Sequence, residues 1–461
     1  MLSILNSHSS EMRILILGFG REGRSSLRYL RSIRPSMPLW VGDENASLDL
    51  EPSFKADPHI HWHLGEQCYM DLAHFDLILK SPGIPLRKVS GIPREKITSQ
   101  TALFIEKYRS QVIGISGTKG KSTTSTLLYH LLKENKKTVL LAGNIGIPVF
   151  DLIPQITPET LIIMELSAHQ GEVLNVAPSR MILLNIFQEH LDHFGSFSRY
   201  KEAKLNFCHQ QKRGDVLLYD AEDSHLQNCR GEIEGVTYLA LSPTPQEGEI
   251  QYSTKAIGGS SFTLHNPLRT LKGTHNLVNI AAAVTLAHHL NLSEEQLESA
   301  LSTYEPLAHR LEYVGNYQGV EFYNDSIATI PEAAIAAMEA LAPIRWIILG
   351  GFDRGIPYNK LISYLKQHPE ITALLLGEAG KRIQDLAKAS GISSPQIIPC
   401  ETMASCIATV LLHKEKGGIC LLSPAASSYD TYENFEQRGN HFKKIVRGLS
   451  STPLREKADL L

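Results

Sequence analysis

An excess of positive charge, closely spaced cysteine pairs, a membrane-length apolar run and internal repeats are all missing from this sequence. Lys+Arg 45 against Asp+Glu 48 gives a formal net charge of -3, which supplies no general electrostatic attraction to nucleic acid or an acidic membrane surface. The six cysteines, Cys68, Cys208, Cys229, Cys400, Cys406 and Cys420, are dispersed with no CxxC pair, and at 461 residues the chain is no short secreted frame to be stapled. Nothing here reads as a disulfide-stapled secreted frame, and a reduced cytoplasm is the simplest compartment. Met1 to Glu11 has no cationic start followed by an apolar core, and no later run approaches the ~20 apolar residues that cross a bilayer. A soluble, monomeric, cytoplasmic protein with small-molecule partners, and with neither nucleic acid nor membrane among them, is the expectation.

What is present is enough apolar sequence, 43%, to bury large cores, in about three domains at roughly 100–200 residues each. Arg13-Ile-Leu-Ile-Leu17, then Gly18-Phe-Gly-Arg-Glu-Gly23, then Ser25 to Arg31 reads as strand, glycine turn and helix, a Rossmann-like opening. Leu39-Trp-Val41 ends at Asp43, and Asp76 to Lys80 runs into Ser81-Pro-Gly-Ile-Pro85. A fresh apolar strand, Val112 to Ile115, leads into Ser116-Gly-Thr-Lys-Gly-Lys-Ser-Thr-Thr124 and a helix with Leu127, Leu128, Leu131 and Leu132 on one face. Two strand–loop–helix openings of nucleotide type do not fit one domain, so a boundary is placed near residue 106. A second break falls around Tyr304-Glu-Pro306, after the alanine-rich helix opened by Gly273-Thr-His-Asn-Leu-Val-Asn279; beyond it, Trp346 to Gly351, Ala373 to Gly377 and Ile419 to Ser423 are strands ending at glycine or serine. The fold class is α/β, with domains at 1–106, 107–306 and 307–461.

Gly117, Gly120, Lys121 and Ser122 supply what a nucleoside triphosphate requires: close backbone approach, a cation and a hydroxyl for Mg²⁺. The loop departs from the strict G-x4-G-K-[ST] spacing, because Ile115 stands five before Gly120. Gly18, Gly20 and Gly23 complete a GxGxxG with Asp43 downstream, compatible with a dinucleotide ribose at Asp43 or with glycines that only permit tight packing. Glu165, ending the apolar run Leu161 to Met164, stands where a triphosphatase holds a metal, and Glu189-His-Leu-Asp-His193 sets His190 beside two carboxylates. Tyr200, Ala203 and Phe207 share a helix face with Lys204. That lysine either snorkels to water or is desolvated enough to stay neutral and form a carbamate with CO₂, an anion able to ligate metal.

Taken together, Gly117 to Thr123, Gly143-Asn-Ile-Gly146, Glu189 to Asp192, Tyr200-Lys-Glu-Ala-Lys204, Gly273 to Asn276, His309-Arg310, Asn324-Asp-Ser326 and Asn434-Phe-Glu-Gln-Arg-Gly439 resemble the Mur ligases in order along nearly the whole chain. Ser423-Pro-Ala with the Asn434 to Gly439 run resembles the glutamate-adding branch. The resemblance implies an N-terminal Rossmann-like domain for a UDP-sugar, a central P-loop-type ATPase and a C-terminal Rossmann-like domain for glutamate. The activity implied is ATP-dependent addition of D-glutamate to UDP-N-acetylmuramoyl-L-alanine through an acyl phosphate. It places Arg21, Glu22, Glu44 and Asn45 at uridine, and Ser81 and Asn144 along the rest of that substrate. It places Gly117, Thr118, Lys119, Gly120, Lys121, Ser122, Thr123, Asn276, Asn279, Arg310 and Asp325 at ATP. Ser122 and Glu165 are implied for one Mg²⁺, His190 and carbamylated Lys204 for a second, with Lys121, His190 and Lys204 as the catalytic set. Thr329, Arg354, Ser428 and Phe435 are implied for glutamate. Ile327 stands where the family's Asn-Asp-Ser-Lys-Ala-Thr run has lysine, and Arg354 where some members have lysine, which leaves L-glutamate as the near alternative. A P-loop regulatory ATPase would leave His190 and Lys204 without a task, and a nicotinamide dehydrogenase would explain only the first hundred residues.

Overall fold

The computed structural model describes residues 12–143, 147–229, 231, 233–269, 271, 273–392, 394–413 and 417–449. The first sheet is all parallel, in the order β3-β2-β1-β4-β5. Its strands are β1 (Ile14–Leu17), β2 (Leu39–Asp43), β3 (Ile60–Leu64), β4 (Leu77–Lys80) and β5 (Ile97–Thr98). Helix α1 (Arg21–Ile33) follows β1 directly, and the four residues of β1 are all buried, as a parallel strand covered on both faces must be.

The second sheet has nine strands: β6 (Val112–Ser116), β7 (Val139–Gly143), β8 (Leu161–Glu165), β9 (Arg180–Leu183), β10 (Val216–Asp220), β11 (Thr237–Ser242), β12 (Ile250–Tyr252), β13 (Ala256–Gly258) and β14 (Thr263–His265). Strand β6 lies between β8 and β9, so the loop after it leaves the carboxyl edge of the sheet between two parallel neighbours. That loop feeds α2 (Lys121–Glu134), whose Leu127, Leu128, Leu131 and Leu132 are buried as their spacing requires. Helix α3 (Phe197–His209) turns Tyr200, Ala203, Lys204 and Phe207 inward, and α4 (Leu277–His289) is buried along most of its length. The exposed stretch 243–249 links β11 to β12.

The third sheet runs β15-β16-β20-β17-β18-β19, with β15 (Glu312–Tyr317) antiparallel to β16 (Val320–Asn324). Its parallel part comprises β16, β17 (Trp346–Gly350), β18 (Thr372–Leu376), β19 (Ile397–Pro399) and β20 (Gly418–Leu422), and α5 (Phe435–Gly448) closes the described chain. The chain groups into two compact units: 1–267 with 277–304, which holds the first two sheets, and 268–276 with 305–461, which holds the third.

Two of the cysteines dispersed in the sequence come together in the fold. Cys208 on α3 and Cys229 are joined as a disulfide; the 21-residue spacing conceals a proximity made when the chain after β10 folds back against α3. Cys68, Cys400, Cys406 and Cys420 are free.

Candidate active site

The first unit carries two adjoining features. One is the loop between β6 and α2. Gly120 adopts φ +87°, and a Cβ there would sit 2.2 Å from Asn279 Oδ1 on α4, so only glycine lets the loop close against that helix. Lys121 Nζ donates to the carbonyls of Gly117 and Thr118, each at 2.9 Å, which folds its ammonium over the loop. Thr118 is buried, with Oγ1 2.8 Å from Tyr200 Oη and accepting from Phe187 N at 2.9 Å. Lys119 N donates to Asn185 Oδ1 at 2.8 Å, and its ammonium pairs with Glu189. Ser122 and Thr123 open α2 behind this ring of partners.

Lys204 is 1% exposed, so it does not snorkel. Its Nζ reaches the same loop, donating to Gly117 O at 2.7 Å and to Ser116 Oγ at 3.5 Å, and it lies 5.3 Å from the Tyr200 ring centroid. Burial, with Lys121 nearby, holds its ammonium well below the ordinary lysine value, against the opposing pull of Glu189 and Glu165. Glu165 is buried at the carboxyl end of β8. His190 sits in the left-handed region at φ 56°, half-exposed, with Nε2 3.8 Å from Glu189 Oε2. Its ring packs 4.9 Å from that of His169, which burial and the adjacent imidazoles push down to about 3.

The second feature is a cavity of about 740 Å³ lined by Gly18, Gly20, Arg21, Glu22, Glu44 and Ser81 among others, including Asp192 and His193, whose carbonyls accept from Arg87. Four of the expected uridine and UDP-sugar residues therefore share one concavity. Asn45 is absent from its lining; its Oδ1 accepts from Ser47 N at 2.9 Å within the turn. Asn144 lies outside the described residues. The glycines divide: a Cβ at Gly18 would meet Ser81 Cβ at 2.8 Å and one at Gly23 would meet Gly18 O at 2.2 Å, whereas one at Gly20 would meet nothing within 4 Å. Gly18 and Gly23 thus serve packing, and Gly20 leaves room. Asp43 also lines this cavity, with Oδ2 accepting from Phe19 N at 2.6 Å and Oδ1 from Asn45 N at 2.8 Å, so its carboxylate fixes the glycine turn and the turn after β2. Glu22, part-buried with Gln170 as its donor, is pushed up to about 7 by desolvation. Glu44 accepts from Lys88 and Tyr69, which hold its carboxyl below the usual range.

In the second unit, the expected residues gather past the carboxyl ends of β16, β17 and β20. Asp325 is buried, accepts from Ser423 Oγ at 2.8 Å and Leu311 N at 3.2 Å, and is pushed up to about 7 by burial. Arg310 and His275 lie in this unit, where burial and then the Arg310 charge lower His275, and Asn276 Nδ2 is 3.2 Å from His275 Nε2. Ser428 is buried, Thr329 part-buried and Arg354 exposed. Phe435 O accepts from Ser326 Oγ at 2.8 Å, and its ring stands 6.1 Å from that of His309. The residues expected at ATP are divided between the units: Gly117 to Thr123 and Asn279 in one, Asn276, Arg310 and Asp325 in the other.

Arg438 organises this second cluster, and reading the sequence did not single out its task. Its guanidinium donates to Ser326 Oγ at 3.0 Å, Ser326 O at 2.8 Å, Ala426 O at 3.0 Å and Ser427 O at 3.2 Å. It spends its donors on backbone and hydroxyl groups of the loops after β16 and β20, a buried arginine that shapes the loops. Asn185, Gln170 and Glu172 of the first unit carry no signal in the sequence, because each is an ordinary polar residue until folding brings it to a loop.

Comparison with known proteins comes from sequence and from fold. A family model described as Mur ligase middle domain matches residues 115–287, and one described as Mur ligase, glutamate ligase domain matches residues 309–426. The UDP-N-acetylmuramoylalanine--D-glutamate ligase of Geobacillus kaustophilus is 34% identical over 453 residues, covering 95% of this chain and 98% of that one. The protein of the same name from Koribacter versatilis is 29% identical over 95% of this chain and 98% of its own. Among solved structures, MurF ligase from Thermotoga maritima in complex with ADP superposes with a TM-score of 0.56 at 17% identity, covering 97% of this chain and 100% of that one. UDP-N-acetylmuramate-alanine ligase MurC from the same organism gives 0.54 at 17%, covering 96% and 100%. At such identities the solved structures speak for the fold alone.

Proposed function

The chain belongs to the Mur ligase family of ATP-dependent ligases, and from that premise we propose that it adds D-glutamate to UDP-N-acetylmuramoyl-L-alanine through an acyl phosphate. The observation that carries this reading is Lys204: a buried amine, held away from its charged form, 2.7 Å from a carbonyl of the phosphate loop. A neutral amine of this kind reacts with CO₂, forming an N–C bond and releasing a proton, to give a carbamate. A simple P-loop ATPase has no use for one. The near full-length relatives named for D-glutamate addition support the choice of amino acid. A monomer acting in the cytoplasm goes with this reading; no described helix is long and apolar enough to cross a membrane.

The residues fit Mg²⁺. No three His, Cys, Asp or Glu side chains among the described residues form a metal cluster, whereas nucleotide-borne Mg²⁺ takes most of its ligands from phosphate and water and needs only one or two protein donors. Buried Glu165 with Ser122 suits one ion, and His190 with a Lys204 carbamate suits the other. When bound, the ions supply positive charge between the substrate carboxylate and the γ-phosphate.

The protein's own groups do the rest. Lys121, poised over the loop carbonyls, would swing to the β- and γ-phosphates and stabilise the charge that develops as a carboxylate oxygen bonds to phosphorus and the bond to ADP breaks. The neutral amine of glutamate then attacks the acyl carbon, phosphate leaves from the tetrahedral intermediate, and the amide nitrogen loses its proton. The cavity holding Arg21, Glu22, Glu44 and Ser81 would take the UDP moiety. Asn276, Asn279, Arg310 and Asp325 would meet ATP, and Thr329, Arg354, Ser428 and Phe435 the glutamate.

Phosphate release from ATP and Mg²⁺ with UDP-N-acetylmuramoyl-L-alanine, offered D- or L-glutamate separately, tests the proposal. Turnover with the D isomer alone is expected. Turnover with the L isomer alone would transfer the assignment to an L-glutamate-adding ligase and make Ile327 and Arg354 the first positions to exchange. Phosphate release that ignores both amino acids would favour a P-loop regulatory ATPase.

A further inference from the structure

The segment from Glu165, the last residue of β8, to Glu172 carries two side chains that reach the first sheet and its helices, Gln170 and Glu172. The short helix Ala168–Gly171 has a capping box in which Gln170 Oε1 accepts from Ser167 N at 3.0 Å. Because Oε1 is committed there, Nε2 points the other way, donating to Thr101 Oγ1 at 2.9 Å and to Glu22 Oε1 at 3.3 Å. One turn later Glu172 Oε2 lies 3.5 Å from Lys80 Nζ and 3.4 Å from His193 Nε2.

Lys80 is buried at the end of β4, and its ammonium donates to Ile84 O at 2.6 Å and Ser81 O at 3.3 Å. Those carbonyls belong to the Ser81 to Pro85 loop that walls the 740 Å³ cavity. A buried ammonium without a counter-ion is costly; desolvation lowers Lys80, and Glu172, with Glu22 as a further negative charge, opposes that and supports its grip on the loop. None of Lys80, Gln170 or Glu172 lines the cavity itself.

We propose that Gln170 and Glu172 are positioning residues for the nucleotide cavity, acting through Glu22 and Lys80 to hold the two walls that receive a nucleoside diphosphate. The inference rests on reading the cavity as the UDP site. It gives the 165–172 segment two tasks, a carboxylate at the phosphate loop and a brace behind the neighbouring substrate wall.

Calorimetric titration of UDP into the apo parent, Glu172→Gln, Gln170→Leu and the double variant Lys80→Met/Glu172→Gln tests this, with Mg·ADP titrated as a control. Glu172→Gln is expected to weaken UDP binding about tenfold, the size of one lost charge-assisted contact, and Gln170→Leu to weaken it in the same direction. Mg·ADP affinity should stay at the parent value. The double variant removes the unpaired ammonium and so should melt like the parent, yet its UDP affinity should stay low because the Ser81 and Ile84 carbonyls have lost their donor. In turnover, KM for the nucleotide substrate should rise while kcat and KM for ATP hold. Parent-like UDP affinity in Glu172→Gln or in the double variant would overturn the proposal. A parent that binds no UDP would overturn the reading of the cavity, and the proposal with it.

Discussion

At the scale of single residues, the decisive fact is that three polar groups, buried Lys204 and Asp325 and part-buried Glu22, are held in states unlike their solution ones. Lys204 is held toward neutrality by desolvation. Lys204→Ala is expected to abolish phosphate release, and a short-chain carboxylate added to the variant is expected to restore part of it by standing in for a carbamate. Activity of the variant equal to the parent without any additive would remove the carbamate. Asp325 and Glu22 are both carboxyls pushed up to about 7 by burial. Their folded pKa lies above the unfolded one, so between about 4 and about 7 the folded state keeps a proton that the unfolded chain has released. Stability from these groups is therefore present at low pH and lost as pH rises through 7. Asp325→Asn mimics the protonated form, with Oδ1 still able to accept from Leu311 N, and is expected to raise the melting temperature at pH 8 relative to the parent and to flatten its pH dependence. An unchanged pH profile would show that Asp325 is already ionised in the native protein.

At the scale of elements, loops and helix ends determine where these groups stand. Helix α3 begins at Ser196, whose side chain accepts from Arg199 N; that cap fixes the start of the helix, and hence the phase that turns Lys204 inward. Ser196→Ala is expected to cost about 1 kcal/mol of stability by denaturant unfolding, the usual effect of a lost N-cap. A loss of catalysis much larger than that stability change would mean that the cap holds the Lys204 turn and not only the helix. The sequence pattern was most readable here: the leucines of α2, at i, i+1, i+4 and i+5, and the inward face of α3 follow the 3.6-residue period that burial imposes on a helix. The short helix Ala168–Gly171 has too few residues to show a period, which is why Gln170 and Glu172 did not declare themselves.

At the scale of the whole molecule, the groups expected to meet one ATP belong to two compact units. Addition of a non-hydrolysable ATP analogue with Mg²⁺ is therefore expected to slow amide exchange in two separate places, the 116–124 loop and the 309–326 segment. Asp325→Ala should remove the second protection and leave the first. Protection confined to the first loop in the parent would assign Arg310 and Asp325 to another ligand.

The sequence by itself determined the α/β class, the phosphate loop, the face on which Lys204 would lie and the family, because each is written in short-range pattern: strand, glycine turn, helix, and residues a few positions apart. Tertiary structure decided what depends on partners far apart in the chain. Asp43 accepts from Phe19 N of the glycine turn, 24 residues back in the chain. Arg438 ties Ser326, 112 residues away, to the nearby carbonyls of Ala426 and Ser427. Cys208 finds Cys229, and Glu172 finds Lys80 across 92 residues. A buried charge must meet its counter-charge wherever the fold brings one, and no spacing along the chain encodes that meeting.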